Sequence, residues 1–288
     1  MRLKNKVALL TAAAGAGIGQ ATAMAMAREG ASIVLTDAHP KRPFSVAEKI
    51  QEETGAECLG MQCDVNDLGQ VKAAVRAAEE RFGRVDILFN NAGINRLARV
   101  EEMTDEVWEL VINTCLRGTF YTCRAVLPGM IERRFGRIVN VASIAGHLGL
   151  ADGQAHYAAA KAGIMALTRC IAAENAPHGI TANTIAPGFI YNEFLARIYP
   201  EKEISRPVRH GRKLHALTLS CYDGGAPREK GLGIRPTPFA RGLTIQPLGR
   251  ERTWSLRPSC KDSSRPWALT WSSPIGSPSR TDATTTGS

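Results

Sequence analysis

A tyrosine and a lysine stand four residues apart in the alanine-rich stretch "HYAAAKAG", residues 156–163. Four residues make about one helical turn, so in a helix Tyr157 and Lys161 lie on one face with only small side chains between them. A phenol has a pKa of about 10, and an ammonium about 4 to 6 Å away lowers it by roughly 1 to 3 units. The pair can therefore serve as a general acid/base with its electrostatic partner. By spacing alone, an exposed helix with no catalytic role is the commoner explanation.

A serine follows the predicted strand "GRIVNVAS" and ends it at Ser143. Its hydroxyl can donate a hydrogen bond to an oxygen on which negative charge develops. The alternative is a turn or helix-cap role, which is common for serine after a strand. Ser143 is thus the third candidate for chemistry.

Three glycines, Gly15, Gly17 and Gly19, fall between the first predicted strand and the first predicted helix, in "TAAAGAGIGQ". Glycines at such a turn let the backbone approach a pyrophosphate, and the helix N-terminus supplies N–H donors. Asp37 follows Gly19 by eighteen residues, at the end of the second predicted strand, where a carboxylate can accept hydrogen bonds from an adenosine ribose. Together these residues predict a dinucleotide site.

The type of dinucleotide is argued from charge. Asp37 repels a 2′-phosphate, which favours NAD over NADP. Three basic residues follow closely, His39, Lys41 and Arg42, and they keep NADP as the alternative. A solvated loop is the other interpretation of those three side chains.

Over residues 1–205, apolar strand patterns alternate with amphipathic helix patterns, from "KVALLT" through "ASIVLTD" and "VDILFNNAG" to "ITANTIAP". Apolar strands separated by helices predict a parallel sheet covered on both faces. The expected fold class is α/β, a doubly wound parallel sheet of the Rossmann type, in a single domain.

After residue 205 this alternation stops. Residues 206–288 are rich in Pro, Ser, Thr and Arg, and they carry the entire net charge of +9, since residues 1–205 are neutral. We predict a domain over 1–205 and a basic, disordered tail over 206–288.

Six motifs in register resemble those of the short-chain dehydrogenases/reductases. In order they are "AGAGIG", "CDV" at 63–65, "NNAG" at 90–93, "IVNVAS" ending at Ser143, "YAAAK" at 157–161 and "APG" at 186–188. The resemblance covers about residues 3–200, and within the family the chain looks most like the 3-oxoacyl-thioester reductases. It implies an NAD(P)-dependent oxidoreductase that interconverts an alcohol and a ketone, including a 3-hydroxyacyl/3-oxoacyl thioester, and that works as a homo-oligomer.

The resemblance also implies roles for individual residues. Tyr157 would be the general acid/base, Lys161 its partner and a ligand of the nicotinamide ribose, and Ser143 the group that polarises the substrate oxygen. The cofactor would further contact a set of loop residues: Ile18, Asp64, Val65, Asn91, Ala92, Gly93, Pro187 and Gly188. For Asp64 the alternative is a helix N-cap, and for Asn90, which would shape the cofactor cleft, it is a turn cap.

Three features depart from the family pattern. Ala13 stands where the first glycine of the loop is usual, and Cys115 stands where an asparagine is usual, so Cys115 enters the catalytic set as the doubtful member. The family's final helix and strand have no counterpart after residue 200, which leaves the predicted strand at 180–187 as an exposed sheet edge. A frameshift in a GC-rich gene explains the composition of 206–288, and a basic extension that binds acidic surfaces is the alternative.

Other function classes follow from these departures. A scaffold that binds NAD(H) without catalysis is one alternative, and nucleic-acid binding through the tail is another, less favoured because the tail lacks aromatic interleaving and zinc spacing. The seven cysteines include no C-x-x-C pair, so neither a disulfide framework nor a metal site is expected. With no apolar leader or membrane span in the sequence, we expect a cytoplasmic protein that acts on a small-molecule substrate.

Overall fold

Strand and helix alternate along the chain as far as Ala186. The computed structural model describes residues 1–148, 152–188 and 217–219, all within the unit Met1–Lys230. The second unit, Gly231–Ser288, and with it most of the predicted tail, lies outside the described residues.

One sheet forms the centre of the fold, with the strand order β3-β2-β1-β4-β5-β6-β7. The first six strands pair in parallel. They are β1 Val7–Leu10, β2 Ser32–Asp37, β3 Cys58–Gln62, β4 Ile87–Asn90, β5 Gly136–Val141 and β6 Ile180–Ala186. The order reverses between β1 and β4, so the chain leaves these two strands in opposite directions and opens a crevice at their carboxyl ends.

Six α-helices connect the strands and cover the sheet. They are α1 Ile18–Arg28, α2 Arg42–Thr54, α3 Leu68–Phe82, α4 Asp105–Ile112, α5 Gly118–Glu132 and α6 Ala155–Asn175. One hydrophobic cluster joins α1 and α2 to one face of the sheet, and another joins α3, α5 and α6 to the opposite face. The predicted doubly wound α/β fold is therefore confirmed.

Strand β1 shows why the strands are unbroken apolar runs in the sequence. Ala8 and Leu10 pack in the cluster with α1 and α2, whereas Val7 and Leu9 pack in the cluster on the other face. All four residues are buried, because successive side chains point to opposite faces and both faces are covered.

A π turn, Asn113–Arg117, lies between α4 and α5. The Gly118 amide donates to the Asn113 carbonyl five residues earlier. A Cβ on Gly118 would lie 2.6 Å from Cγ2 of Val65, so the helix packs against the β3–α3 loop at a distance that only glycine permits.

Strand β7, Leu217–Leu219, corrects the prediction that β6 is an exposed edge. It pairs antiparallel with β6 from Thr184 to Ala186. At least these three residues of the predicted tail therefore belong to the sheet. Over residues 180–183, β6 has no outer partner strand within the part of the chain that the structure describes.

A buried polar network ties β4 and β5 to two helices. Asn90 and Asn140 are direct cross-strand partners, and Asn90 Nδ2 donates to Asn140 Oδ1 at 2.9 Å. Thr122 of α5 donates to Asn90 Oδ1 at 2.6 Å, and Asn140 Nδ2 donates to Oγ1 of Thr168, on α6, at 2.8 Å. Since α6 also carries Tyr157 and Lys161, the network fixes that helix relative to the sheet. The predicted turn-cap alternative for Asn90 is wrong.

Replacing Asn140 with alanine is expected to lower the free energy of unfolding by about 2 to 3 kcal/mol, because Asn90 Nδ2 then loses a buried acceptor. Urea unfolding followed by circular dichroism measures the loss. Asn183 on β6 is the matched control, since its side-chain oxygen is buried and has no partner among the described residues. Asn183→Ala is expected to change the unfolding free energy by less than about 1 kcal/mol. Equal losses in the two variants would contradict the role given to the network.

Candidate active site

The turn from β1 to α1 is held at both sides by backbone hydrogen bonds to neighbouring strands. Thr11 N donates to the Phe89 carbonyl at 3.1 Å, and Ala13 N donates to the Thr36 carbonyl at 3.0 Å. Ala13, where the family has a glycine, is fully buried without disturbing these bonds. The turn therefore sits in the crevice where the strand order reverses.

The three glycines of this turn differ in their surroundings and in why glycine suits each position. A Cβ on Gly19 would lie 2.7 Å from Asn91 Nδ2 and 2.9 Å from the Ala13 Cα, so helix α1 approaches the turn too closely for any other residue. Gly17 has φ 153°, in the region that glycine favours. A Cβ on Gly15 would meet nothing within 4 Å. Gly15 therefore borders open space, and its backbone is accessible to a ligand.

Helix α1 begins at Ile18 with Gly17 as its N-cap, and no side chain caps its first amides. Uncapped amides at a helix N-terminus are donors for an anion, and the helix dipole adds to the attraction. This is the arrangement that a pyrophosphate requires.

The "NNAG" segment is attached to the same turn. Thr11 Oγ1 accepts from the backbone amides of Asn91 and Ala92 at 3.0 and 3.1 Å, and Asn91 Nδ2 donates to the Ala12 carbonyl at 2.9 Å. Thr11 is a positioning residue that sequence reasoning missed, although its place directly after a buried strand was visible. The β1–α1 turn and the "NNAG" segment are therefore joined by hydrogen bonds and together line the bottom of the crevice.

Asp37 ends β2 and is nearly buried. Its Oδ1 accepts from the His39 amide at 2.9 Å and from Arg42 Nη2 at 3.2 Å. The residues predicted to border an adenosine ribose are thus already joined to each other.

Asp64 and Val65 follow β3 on the same side. Asp64 Oδ1 accepts from the amide of Asn66 at 2.9 Å and so closes the turn before α3. The N-cap of α3 is Asp67, so the N-cap alternative for Asp64 is wrong. Val65 is buried and packs against Gly118.

Tyr157 and Lys161 lie on one face of α6, as their spacing predicts. Lys161 is only 3% exposed, and its Nζ donates to the Val141 carbonyl at 2.8 Å. The same Nζ lies 5.4 Å from the centre of the Tyr157 ring. A buried ammonium next to a half-exposed phenol provides the electrostatic partner that the phenol needs.

Ser143 lies on the loop after β5, in extended backbone. Its Oγ accepts from the Ala145 amide at 3.2 Å and caps a 3₁₀ turn, Ile144–Gly146, so the cap role considered as an alternative is present. That contact uses an oxygen lone pair and leaves the hydroxyl proton to donate. A Cβ on Gly146 would lie 2.9 Å from the carbonyl carbon of Lys161, so the loop presses on the helical turn that carries the lysine.

The loop after β6 supports the same side of the site. The Pro187 carbonyl accepts from the Ile144 amide at 3.1 Å, directly beside Ser143. Pro187 and Gly188 are half-buried, and they end the described part of this segment.

Cys115 is fully buried in the π turn, and its Sγ donates to the Ile94 carbonyl at 3.4 Å. A Cβ on Gly93 would lie 3.3 Å from Lys161 Nζ and 3.5 Å from Cys115 Sγ. The structure therefore brings Gly93, Cys115 and Lys161 together. The Cys115 carbonyl accepts from Thr119 Oγ1 at 2.7 Å.

A group of buried polar side chains at the start of α6 was not found from the sequence. Asn95 Nδ2 donates to Gln154 Oε1 at 3.2 Å, and Gln154 Nε2 donates to Asp152 Oδ2 at 2.7 Å. His156 is fully buried, and neither of its ring nitrogens has a hydrogen-bond partner among the described residues. Burial lowers the pKa of His156, which favours the neutral imidazole. The group precedes Tyr157 in the chain, and its signal was the cluster of polar residues just before "YAAAK".

The described ranges contain no metal-ligand cluster, and three of their cysteines lie where burial disfavours the thiolate. No three His, Cys, Asp or Glu side chains there are grouped to hold a metal ion. Burial raises the pKa of Cys58 to about 11 and those of Cys63 and Cys123 to about 12, so these thiols stay protonated. None of the helices described is both long and apolar enough to span a bilayer.

Comparison with known proteins identifies the family. The model of the short chain dehydrogenase family matches residues 6–203. The uncharacterized oxidoreductase YxjF of Bacillus subtilis is 41% identical over 215 residues, which are 75% of this chain and 82% of the relative. The 3-oxoacyl-[acyl-carrier-protein] reductase FabG of Thermotoga maritima is 40% identical over 202 residues, or 70% of this chain and 80% of the relative.

Solved structures agree with this assignment. Levodione reductase superposes with a TM-score of 0.68 at 37% identity, over 72% of this chain and 83% of that chain. An NAD⁺-bound xylitol dehydrogenase superposes with a TM-score of 0.65 at 33% identity, over 70% and 80%. The six motifs, the sheet order and these likenesses agree: the chain belongs to the short-chain dehydrogenase family.

Proposed function

We propose that this chain is an NAD(P)-dependent oxidoreductase that interconverts an alcohol and a ketone, with Ser143, Tyr157 and Lys161 as its catalytic residues. The observation that carries the proposal is the buried ammonium of Lys161 beside the Tyr157 ring, with glycine at position 93 next to it. Burial of a charged side chain does not stabilise the fold. We therefore assign the Lys161 ammonium a role in acting on the neighbouring phenol.

The crevice fits a nicotinamide dinucleotide on grounds of shape and donors. Gly15 borders open space, and the first amides of α1 carry no side-chain cap. These groups would bind the pyrophosphate, Asp37 the adenosine ribose, and Asp64 and Val65 the adenine side. The "NNAG" residues, Asn91, Ala92 and Gly93, would line the middle of the cleft, and Lys161, Pro187 and Gly188 the nicotinamide end.

In the reductive direction, the substrate carbonyl oxygen accepts hydrogen bonds from Ser143 and Tyr157. A nicotinamide held in the crevice would supply the hydride that the carbonyl carbon needs. Tyr157 gives its proton to the oxygen as charge develops there, and the ammonium of Lys161 stabilises the phenolate that remains. Oxidation of an alcohol reverses these proton movements.

Cys115 is the one residue of the predicted catalytic set to which we assign no chemical step. Its Sγ lies near Gly93, on the side where Lys161 is found, but a thiol is a weak hydrogen-bond partner. We assign it a supporting role in which the π turn, rather than the thiol, positions backbone groups near the lysine. The competing function is binding of NAD(H) without turnover. The observation that favours it is the cysteine at position 115, where an asparagine is usual in the family.

The substrate is proposed as a small alcohol or ketone, with a 3-hydroxyacyl or 3-oxoacyl thioester as the first choice to test. The FabG relative, a 3-oxoacyl-[acyl-carrier-protein] reductase by name, supports this choice. A homo-oligomer is proposed as well, supported by the exposed apolar side chains of Trp108 and Leu110 on α4 and Phe120 on α5.

Two glycine variants test the cofactor cleft. Gly19→Ala is expected to lower the thermal midpoint of the free protein by several degrees, because the added methyl group meets backbone at 2.9 Å. Gly15→Ala is the matched control, with the added methyl group in open space, and is expected to leave the midpoint unchanged. The same Gly15→Ala change is expected to weaken NADH binding about tenfold or more in a fluorescence titration, since the methyl group would occupy the space of the pyrophosphate. Unchanged NADH binding by Gly15→Ala would contradict the placement of the pyrophosphate beside Gly15.

Tyr157→Phe tests the proton donor. It removes one hydroxyl, so carbonyl reduction is expected to fall by about 10³-fold or more, while the dissociation constant for NADH changes by less than about threefold. Stopped-flow or steady-state loss of NADH absorbance measures the first, and fluorescence titration the second. Activity equal to the parent chain would exclude Tyr157 as the acid.

NADH is expected to bind more tightly than NADPH, because the carboxylate of Asp37 faces the position of the 2′-phosphate. Titration of the two reduced cofactors into the full chain measures both dissociation constants. Tighter binding of NADPH would mean that the neighbouring cations outweigh Asp37.

A further inference from the structure

Tyr157 lies in the first turn of α6, at a helix start that lacks the usual support. The N-cap residue, Gln154, makes no side-chain hydrogen bond to the first amides, and the first turn contains no acidic residue. The first turn of a helix has the fewest intrahelical hydrogen bonds and frays most easily. The phenol to which we assign the proton transfer therefore needs support from outside the helix.

Three polar side chains connect this helix start to another part of the fold. Asn95 Nδ2 donates to Gln154 Oε1 at 3.2 Å, and Gln154 Nε2 donates to Asp152 Oδ2 at 2.7 Å. Asn95 is 5% exposed and Gln154 is 4% exposed, so water competes little for the hydrogen bond between them. We call Asn95, Gln154 and Asp152 the polar bridge, because they join the start of α6 to the loop that follows the "NNAG" segment.

Backbone contacts hold the same loop in place. Ala98 N donates to the Gly153 carbonyl at 3.0 Å. Gly153 has φ 76°, and a Cβ there would lie 2.9 Å from Ala98 N, so the approach requires glycine. The loop starts after Ile94, whose carbonyl accepts from Cys115 Sγ at 3.4 Å. The loop is thus fixed to the π turn at one end and to the start of α6 at the other.

We propose that the polar bridge positions Tyr157: it holds the first turn of α6, and with it the phenol, in place beside the cofactor cleft. The inference rests on the proposed function, since it assumes that Tyr157 is the proton donor. Lys161, one turn further on, is held independently. Its Nζ donates to the Val141 carbonyl, and Gly146 packs against its backbone. Loss of the polar bridge therefore moves the phenol and leaves the lysine in place.

His156, next to Tyr157, shows that this part of the fold is not built for stability alone. Its side chain is fully buried, and neither ring nitrogen has a hydrogen-bond partner among the described residues. The ring lies beside the backbone of Arg96, the residue after Asn95. A buried polar group without a partner lowers stability, and proteins typically carry such costs at functional sites.

Asn95→Ala removes one hydrogen bond of the polar bridge, and Asn175→Ala is its matched control. Asn175 lies at the other end of α6, is 6% exposed, and donates through Nδ2 to the Ile171 carbonyl at 2.8 Å. Both variants remove one buried amide that is bonded to α6. Asn175, however, is eighteen residues from Tyr157, which is about five helical turns.

The experiment measures kcat and KM of the full chain with NADH or NADPH, whichever the parent chain binds more tightly. The substrate is the one that the parent chain reduces fastest in a panel of small ketones and acetoacetyl-coenzyme A, a 3-oxoacyl thioester. Fluorescence titration gives the dissociation constant of the reduced cofactor. Circular dichroism and the thermal midpoint establish that each variant is folded.

Asn95→Ala is expected to lower kcat about tenfold or more, because a small displacement of the phenol slows proton transfer. KM and the cofactor dissociation constant are expected to change by less than about threefold, since transition-state geometry is what the variant disturbs. Asn175→Ala lowers the thermal midpoint by a similar amount, because it also loses one buried hydrogen bond, and leaves kcat unchanged.

Two variants of Asp152 test the other hydrogen bond of the polar bridge. Asp152→Ala removes the acceptor of Gln154 Nε2 and is expected to lower kcat. Asp152→Asn is expected to retain the kcat of the parent chain, because an asparagine oxygen can accept the same hydrogen bond without the charge. Equal loss of kcat in the two Asp152 variants would contradict a role for this hydrogen bond.

The inference would be overturned by an unchanged kcat in Asn95→Ala, or by equal losses of kcat in Asn95→Ala and Asn175→Ala. A rise in KM at unchanged kcat would also overturn it, because Asn95 would then contact the substrate. In each of these cases, an active parent chain leaves the proposed function intact. A parent chain that binds neither cofactor, or reduces nothing in the panel, would overturn the proposed function and this inference with it. Should Asn95→Ala fail to fold, the two Asp152 variants decide the inference.

Discussion

The site depends on keeping one ammonium group almost entirely out of water. Removal of a charge from water is costly, and Lys161 meets that cost with one backbone carbonyl, that of Val141, and with the face of the Tyr157 ring. None of the ion pairs recorded among the described residues includes it. An ammonium has three donors, and the carbonyl takes one, so the remaining charge is directed at the phenol and at the open side of the cleft.

The neighbouring glycines follow from that constraint. Gly93 leaves room beside Nζ, and Gly146 lets the Ser143 loop rest on the helical turn that carries the lysine. The polar network through Asn90, Asn140 and Thr168 holds the same helix against the sheet. The glycines near the ammonium and the hydrogen-bonded asparagine side chains under the helix therefore act together. They hold Tyr157, Lys161 and Ser143 in fixed relative positions.

Much of this was predictable, because periodicity and motif spacing are local properties of a chain. The parallel sheet, the face shared by Tyr157 and Lys161, and the turn with Gly15, Gly17 and Gly19 all follow from short stretches of sequence. The contacts that depend on distant residues were not predictable. Thr11 accepts a hydrogen bond from the Asn91 amide, 80 positions away in the chain. Asn95 donates to Gln154, 59 positions away. The three residues of β7, Leu-Thr-Leu, were not predicted as a strand, because an alternation of three residues is too short a signal.

The π turn at Asn113–Arg117 has a consequence for the evolution of the chain. A π turn amounts to one residue inserted into an α-helix, and each added residue rotates all that follows by about 100°. The insertion lets α4 present one set of residues to α6 while α5 presents another to the sheet, although the two are continuous in the chain. Loss of a single codon here would leave every neighbouring residue type unchanged and still turn Cys115 away from Gly93. At this position, the number of residues in the chain determines the local geometry as much as their types do.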